Sequence, residues 1–191
     1  MRALLALLAC VGVGRWALDT RSAHAPHPTP HAPPFAVIVL PRAVRDSMRA
    51  RWEENNRHWD ELSDVNTLTQ MLGTGKPTQL EYLGCLFGRV ARDTLWIEGA
   101  AVARRLRQLQ FAVTGDCDAV QSFVGTWHTH PYRAGLDGQP LKERELSRQD
   151  LETFAAGPDL VTMAMWDADS LDAAARGPDG GLRHPAAVVV R

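Results

Sequence analysis

Two histidines that are separated by one residue, His128 and His130, follow the apolar segment 123–127. Side chains alternate between the two faces of a β-strand, so positions 128 and 130 point to the same side. Two imidazoles placed in this way can reach one ion at about 2.0–2.1 Å, a usual zinc–nitrogen distance. Pro131 has no N–H to donate to a sheet and is expected to end the strand. The pattern predicts a metal site at the rim of a sheet. The alternative is that the two histidines bind no metal.

A carboxylate that could serve as a third ligand, Asp150, lies in the segment 147–150, just before the apolar residues Leu151 and Phe154. The Ser-x-x-Asp pattern predicts the start of a helix, with Ser147 as the N-cap and Asp150 returning a hydrogen bond in a capping box. This structural role is compatible with metal binding, because a helix N-terminus projects its first-turn side chains into an adjoining cleft.

A single carboxylate, Glu81, opens the apolar segment 82–88, which is typical of a buried strand. Burying a carboxylate is costly unless it is paired or used. Taken alone, Glu81 fits an exposed strand start. Taken with the histidines and Asp150, it becomes a candidate general base.

In their order along the chain, these elements resemble the JAMM/MPN family of metalloenzymes. The matching motifs are Glu-x-x-Gly at 81–84, His-x-His-Pro at 128–131 and Ser-x-x-Asp at 147–150. The resemblance extends from about residue 35 to the C-terminus. It implies a curved sheet flanked by helices and the cleavage of isopeptide bonds to ubiquitin-like tails, or of peptides in some bacterial members. One departure is that the polar, turn-rich segment 132–146 is longer than in most members, as a specificity insertion would be.

The candidate residues match the needs of metal-assisted amide hydrolysis. Catalytic zinc sites use three protein ligands and keep one position for water, and His128, His130 and Asp150 supply three ligands of suitable types. The ion lowers the pKa of the bound water toward about 7. Glu81 would take the proton and later give it to the leaving amine. Ser147 would donate a hydrogen bond to the oxyanion, a contribution commonly of order 10²–10³ in rate.

We therefore predict a zinc metallopeptidase or isopeptidase with one Zn²⁺ per chain, acting on a peptide or protein substrate such as a ubiquitin-like tail. Two alternatives stay open: a non-catalytic MPN-type scaffold that binds partners, and a zinc hydrolase of small amides. Asp116 and Asp118 are substitutes for Asp150 as the third ligand, ranked behind it. Structural roles suffice for Trp127 in the core, and for Asp159 and His184 in turns.

The length and the net charge of the chain limit the classes of protein to which it can belong. A chain of 191 residues suits one domain of ordinary size, predicted at 35–191. The formal net charge of −1 at pH 7 argues against dedicated binding of nucleic acid. Arg105 and Arg107 belong to a local basic cluster. Leu106 lies between them, and this alternation of basic and apolar residues fits a half-exposed strand.

The N-terminal residues 1–25 are predicted to be a signal or leader segment. Their apolar run, 3–14, is too short for a membrane span of about twenty residues but suits a secretory h-region. Cys10 lies in a lipobox-like sequence, and a misassigned start codon, which would leave the protein cytoplasmic, is a further alternative. Residues 26–34, rich in Pro, His and Ala, are predicted to be an extended linker. We expect an exported protein that is periplasmic, secreted or anchored through its leader, without a stable transmembrane span.

Two cysteines belong to the predicted domain. Cys85 and Cys117 could pair in an oxidising compartment. The apolar strand around Cys85 favours the alternative in which this residue packs as a small hydrophobe.

Hydrophobic patterning predicts an α+β fold, one domain with a curved mixed sheet flanked by helices. Val44, Met48, Trp52, Trp59 and Leu62 recur near helical spacing after Pro41, and a second helix is predicted at 147–155. The acidic, Gly-rich segment 167–181 is expected to be a surface loop. The predicted strands are 35–40, 80–90, 94–99, 105–113, 120–130, 160–166 and 185–190.

Overall fold

The structure is a computed structural model that describes residues 35–56, 79–109, 112–134 and 140–191. The predicted leader and linker, the helical positions Trp59 and Leu62, and the turn at 135–139 lie outside the described residues.

The described residues form a mixed α/β domain built on an eight-stranded sheet and two helices. The strand order in this curled sheet is β11-β10-β9-β6-β2-β3-β1-β12, and β4 with β5 and β7 with β8 form two small hairpins. The elements are β1 (Val37–Leu40), α1 (Arg42–Asn56), β2 (Leu83–Ala91), β3 (Thr94–Val102), β4 (Arg104–Gln108), β5 (Val113–Asp116), β6 (Phe123–Thr129), β7 (Arg133–Ala134), β8 (Pro140–Leu141), α2 (Arg148–Ala156), β9 (Val161–Asp167), β10 (Ser170–Arg176), β11 (Leu182–Arg183) and β12 (Ala187–Val190).

The helix α1 covers one face of the sheet. Its predicted apolar stripe is confirmed over the described turns, where Val44, Met48 and Trp52 are buried. They join the larger core cluster, which also contains Trp127 and Met163 from the central strands. Trp127 is therefore a core residue, as its position among apolar residues indicates.

The helix α2 covers the opposite face. Phe154, which is the buried residue of this helix, packs with Leu146, Ala164 and Ala174 in a second, smaller core cluster. Because His128 is the register partner of Ala164 in the parallel pair of β6 and β9, its side chain lies on this second face. The sheet thus separates a purely structural side under α1 from the side that carries the predicted site.

Two predictions of secondary structure are wrong. The strand expected at 105–113 is a hairpin of β4 and β5, whose turn is closed by a hydrogen bond from Leu109 N to Ala112 O at 2.9 Å. The surface loop expected at 167–181 contains β10, which pairs with β9 and buries the alanines at 173–175. Alanine has a low strand propensity, and acidic and glycine residues flank the three alanines, so the pattern resembles a loop.

Cys85 and Cys117 form a disulfide that joins β2 to the residue after β5, with Cα atoms 5.6 Å apart. The preference for an unpaired Cys85 is therefore wrong, although its side chain is fully buried as expected. The bond attaches the β4–β5 hairpin to the face of the sheet that carries the histidines, since Cys85 is the register partner of Thr126 and lies two residues from the partner of His128.

Candidate metal centre

The pairing of β2 with β6 places Glu81 and the histidines on one face. Leu83 is the register partner of His128, and the backbone pairing continues with a hydrogen bond from Thr129 N to Tyr82 O at 3.0 Å. Continued by one more residue, this register puts Glu81 opposite His130. Directly opposed residues in an antiparallel pair project from the same face, so Glu81, His128 and His130 converge on one side.

The two imidazoles and the carboxylate of Asp150 meet at the end of β6. The Nε2 atoms of His128 and His130 are 2.9 Å apart. Asp150 places Oδ1 at 3.3 Å from His128 Nε2 and Oδ2 at 3.3 Å from His130 Nε2. Both histidines are buried, whereas the Asp150 side chain is 22% exposed. The predicted ligand set is therefore brought together, with an opening to solvent on the carboxylate side.

The capping box predicted at 147–150 is present and fixes the position of Asp150. The Ser147 hydroxyl accepts a hydrogen bond from Asp150 N at 3.2 Å, and Asp150 Oδ2 accepts one from Ser147 N at 2.8 Å. The hydroxyl acts in the cap as an acceptor, so the cap bond itself does not use the Ser147 O–H donor. The same turn thus starts α2 and aims one carboxylate at both imidazoles.

Glu143, in the segment between the His-x-His-Pro and Ser-x-x-Asp motifs, orients one of the histidines. The carbonyl oxygen of Glu143 lies 3.2 Å from His130 Nδ1. A carbonyl oxygen can only accept, so Nδ1 donates to it and Nε2 is the nitrogen that faces Asp150 and His128. A backbone acceptor behind a ligand histidine is the usual way in which metal sites fix the ring and its tautomer.

The charges of the site favour a cation at its centre. Burial raises the pKa of Asp150, but hydrogen bonds from His128, His130 and Ser147 outweigh it and hold this pKa well below the usual range. Burial lowers the pKa of His130, but the hydrogen bond and the charge of Asp150 outweigh it, so the net direction is upward. The Nε2 atoms of the two imidazoles and the ionised carboxylate of Asp150 face one point, which a proton or a metal ion can occupy.

The distances fit a metal ion. Two ligand atoms that each lie about 2.0–2.1 Å from a tetrahedral zinc ion are separated by roughly 3.3 Å. Both histidine–carboxylate distances have this value, and the distance between the two imidazole nitrogens is slightly shorter. His128, His130 and Asp150 can therefore hold a metal ion with little rearrangement, and their ligand atoms all lie within 4.8 Å of one another.

Glu81 and Ser147 line the same cleft as these three residues, and the cleft has a volume of about 670 Å³. Glu81 is only 6% exposed. The alternative in which it is an exposed carboxylate at the start of a strand therefore does not hold. Its backbone is fixed by a hydrogen bond from Glu81 N to Leu109 O at 3.0 Å. The predicted general base therefore faces the candidate metal centre from a buried position.

Other residues line the cleft besides those of the metal centre. They come from α2 and the residues that follow it, and from the segment 112–115, which contains the first three residues of β5. Thr126 and Thr162, register partners on β6 and β9, and Asp159, which lies between α2 and β9, also line it. Burial raises the pKa of Asp159 above its ordinary value, although the charge of Arg176 opposes this.

Sequence reasoning missed the part of the cleft formed by Thr126, Asp159 and Thr162. Asp159 was predicted to be a turn residue; it lies in the connection between α2 and β9, without a regular turn, and lines the cleft. The two threonines occupy positions where a sheet covered by a helix normally buries apolar side chains. That polar interruption is the signal that could have indicated them.

Other candidates lie elsewhere. Asp116 forms an ion pair with Arg105 at 3.1 Å, and neither Asp116 nor Asp118 lines the cleft. His184 lies between β11 and β12, and its Nδ1 atom is 3.2 Å from the carbonyl oxygen of Ala173. Asp150 therefore remains the third ligand that the geometry supports.

No family model matches the chain, and no curated protein matches it either. What the protein does must therefore be inferred from its own residues and their geometry. Within the part of the chain that the structure describes, no helix is long and apolar enough to cross a membrane.

Proposed function

We propose that this protein is a zinc-dependent metallopeptidase of the JAMM/MPN type that hydrolyses a peptide or isopeptide bond. The observation that carries the proposal is the convergence of His128, His130 and Asp150 at 2.9–3.3 Å in an open cleft that Glu81 and Ser147 also line. Two imidazoles and one carboxylate leave a fourth position of a tetrahedral ion open, which distinguishes catalytic from structural zinc sites.

When bound, zinc supplies a Lewis acid that polarises the scissile carbonyl and lowers the pKa of a coordinated water to about 7. Glu81 takes the proton of the attacking water and then gives it to the leaving amine. Its buried carboxylate is suited to this task, because a base excluded from bulk solvent keeps the proton within the site. General acid–base catalysis of this kind contributes typically about 10²–10⁴ in rate.

Ser147 stabilises the oxyanion. Its hydroxyl accepts from Asp150 N in the capping box, and its O–H donor, which this bond does not use, turns to the oxyanion when substrate is bound. The N-terminus of α2 adds favourable dipole charge next to the developing negative oxygen.

A scaffold role explains fewer of these features. A non-catalytic domain has no need for three convergent ligand residues in the same open cleft as a buried carboxylate. Hydrolysis of small amides by the same residues is the second candidate. The volume of the cleft, about 670 Å³, and its many lining residues besides the metal ligands favour a substrate larger than a small amide.

We also propose that the protein is exported. The support is the Cys85–Cys117 disulfide, because such bonds persist in the periplasm or outside the cell and are rare in a reducing cytosol. An exported enzyme would meet cell-wall or secreted peptides more readily than ubiquitin-like proteins. N-terminal sequencing of the mature protein from its native host tests this, and an intact residue 1 in the cytosolic fraction would contradict it.

Substitution of Glu81, the proposed general base, tests the proposed activity. In zinc-loaded protein, Glu81→Gln should lower peptidase turnover by about 10²-fold or more while zinc stoichiometry stays at one, because the amide cannot accept a proton. Turnover is measured by mass spectrometry on a peptide mixture of defined composition. Glu98→Gln is the matched control, since Glu98 forms a surface ion pair with Arg89 and does not line the cleft.

The proposal fails if wild-type protein binds no zinc, or if Glu81→Gln turns over like the control. His128→Ala separates the two requirements, because loss of a ligand should remove both zinc and activity.

A further inference from the structure

We propose that the end of the cleft away from the metal centre is a subsite for a cationic side chain, lysine or arginine, formed by Thr126, Asp159 and Thr162. This specificity site rests on the proposed peptidase function, because it assigns a substrate class to the same cleft.

The subsite lies within reach of the reacting centre. Thr126 precedes His128 by two residues on β6, which is a distance of roughly 7 Å along a strand. Thr162 is the register partner of Thr126, so the two hydroxyl-bearing side chains lie next to each other on the cleft floor. A substrate whose scissile bond lies at the metal centre would place there a side chain within about three residues of that bond, at about 3.3 Å per residue.

Thr162 is the strongest indication that a polar ligand binds here. The residue is only 4% exposed, and it lines the cleft. Its hydroxyl makes no hydrogen bond with any residue that the structure describes. A hydroxyl that has no partner among these residues and lines a cleft can both donate to and accept from a substrate group.

Asp159 gives the subsite its charge preference. The neighbouring cation, Arg176, does not use its donors on this carboxylate but on main-chain carbonyls. Its guanidinium donates to the carbonyl oxygens of Asp159 at 2.9 Å, Phe154 at 2.6 Å, Gly157 at 2.7 Å and Gly180 at 3.2 Å. The Asp159 carboxylate itself forms no hydrogen bond within the described residues, so its oxygens can accept from a ligand.

The remaining charges of the cleft point the same way. Its acidic lining residues are Glu81, Glu143, Asp150 and Asp159, and Arg148 is the single Lys or Arg among the lining residues that the structure describes. The Arg148 side chain is 92% exposed and is paired with Glu152 at 2.7 Å. A cationic side chain that reaches this end of the cleft therefore meets the Asp159 carboxylate, whereas the carboxylate of Asp150 is taken by the proposed zinc ion at the other end.

Binding of two isosteric probes to the zinc-loaded full chain tests the proposal without requiring hydrolysis. The probes are Nα-acetyl-arginine amide and Nα-acetyl-citrulline amide, which differ chiefly in charge, and their affinities are measured by calorimetry. Wild-type protein should bind the arginine probe at least about ten-fold more tightly, as expected for a charge-assisted hydrogen bond. Asp159→Asn should abolish this preference, and Thr162→Val should weaken binding of both probes.

Asp169→Asn is the control, because it removes the same charge from an exposed position that pairs with Arg45 and Arg49. Equal affinity of the two probes for wild-type protein would overturn the proposal, as would a preference that survives in Asp159→Asn. Should Asp159→Asn fail to fold, the wild-type comparison and Thr162→Val decide. A preference for arginine in a protein that hydrolyses no peptide would refute the proposed function and leave the cation subsite standing.

Discussion

The chemistry of single residues centres on His130, which is held from both sides. Glu143 fixes its Nδ1 proton, and Asp150 lies at 3.3 Å from Nε2. The Asp150 carboxylate favours either a proton or a metal ion at Nε2 of His130, so the proton and the metal ion compete for one position. This competition determines how metal binding responds to pH.

Zinc affinity should fall as the pH is lowered through the raised pKa of His130. In the metal-free protein this pKa lies above the ordinary 6.5, so protonation stabilises the folded state below that value, and this contribution is lost as the pH rises through the raised pKa. Zinc must displace the proton, and its apparent affinity should drop by up to about ten-fold per pH unit below the raised pKa. Titration against a chelator of known affinity between pH 5.5 and 8.5 measures this. A constant affinity across that range, after correction for the chelator, would contradict the assigned ligand.

At the scale of elements, the strand pair β2–β6 sets the spacing of the site. Gly84 is the register partner of Trp127. A Cβ atom at Gly84 would lie 2.2 Å from Trp127 Nε1, so any larger residue forces the indole to move. The Gly of the Glu-x-x-Gly motif therefore has a packing role, since it lets Trp127 lie against β2 while the adjacent His128 faces the cleft.

Gly84→Ala should destabilise the metal-free protein by about 1–3 kcal/mol, as overpacking of a tight core does, and should weaken zinc binding through displacement of β6. Urea unfolding and zinc titration measure the two effects. Gly157→Ala is the matched control, because the nearest atom to a Cβ there is at 3.7 Å. Equal stability of the two variants would show that the indole has room to adjust.

The helix α2 is fixed at both ends. The capping box of Ser147 and Asp150 starts it, and Arg176 donates to the carbonyl oxygens of Phe154 and Gly157 at its C-terminal end. A cation at a helix C-terminus also interacts favourably with the helix dipole. The metal ligand at the first turn thus belongs to an element that cannot easily slide along the sheet.

At the scale of the whole molecule, the Cys85–Cys117 disulfide attaches a wall of the cleft to the central sheet. The bond closes a segment with a sequence separation of 32 and follows directly after β5. Cys117→Ser should therefore lower the free energy of unfolding by about 3–4 kcal/mol, the chain-entropy value for a loop of this length. Unfolding of the variant and of wild-type protein in the absence of reductant measures this. Mass spectrometry first confirms that the disulfide is formed in the wild-type protein. If Cys117→Ser is then as stable as wild type, the stabilising role assigned to the disulfide is contradicted.

The candidate site could largely be predicted from the sequence because its parts are local. His128 and His130 share a strand, and Ser147 and Asp150 share one helical turn, so two short patterns fix four side chains. What the patterns could not supply is the registration of β2 against β6, which places Glu81 opposite His130. The role of Glu81 was instead predicted from the resemblance of the motif order to that of the JAMM/MPN family.

The parts of the fold that could not be predicted depend on contacts between distant residues. The strand β10 is held by pairing with β9 and not by its own alanine-rich composition. The turn that separates β4 from β5 interrupts an alternating pattern that continues across it. Asp159 and Thr162 acquire their place in the cleft only when α2 has folded over the sheet.

Anomalous diffraction at the zinc edge from crystals of the zinc-loaded protein tests the central claim most directly. The account predicts one strong peak bonded to Nε2 of His128, Nε2 of His130 and a carboxylate oxygen of Asp150, with ligand distances of about 2.0–2.2 Å and Glu81 facing the open position. A peak elsewhere, or no peak within reach of these three residues at saturating zinc, would contradict it.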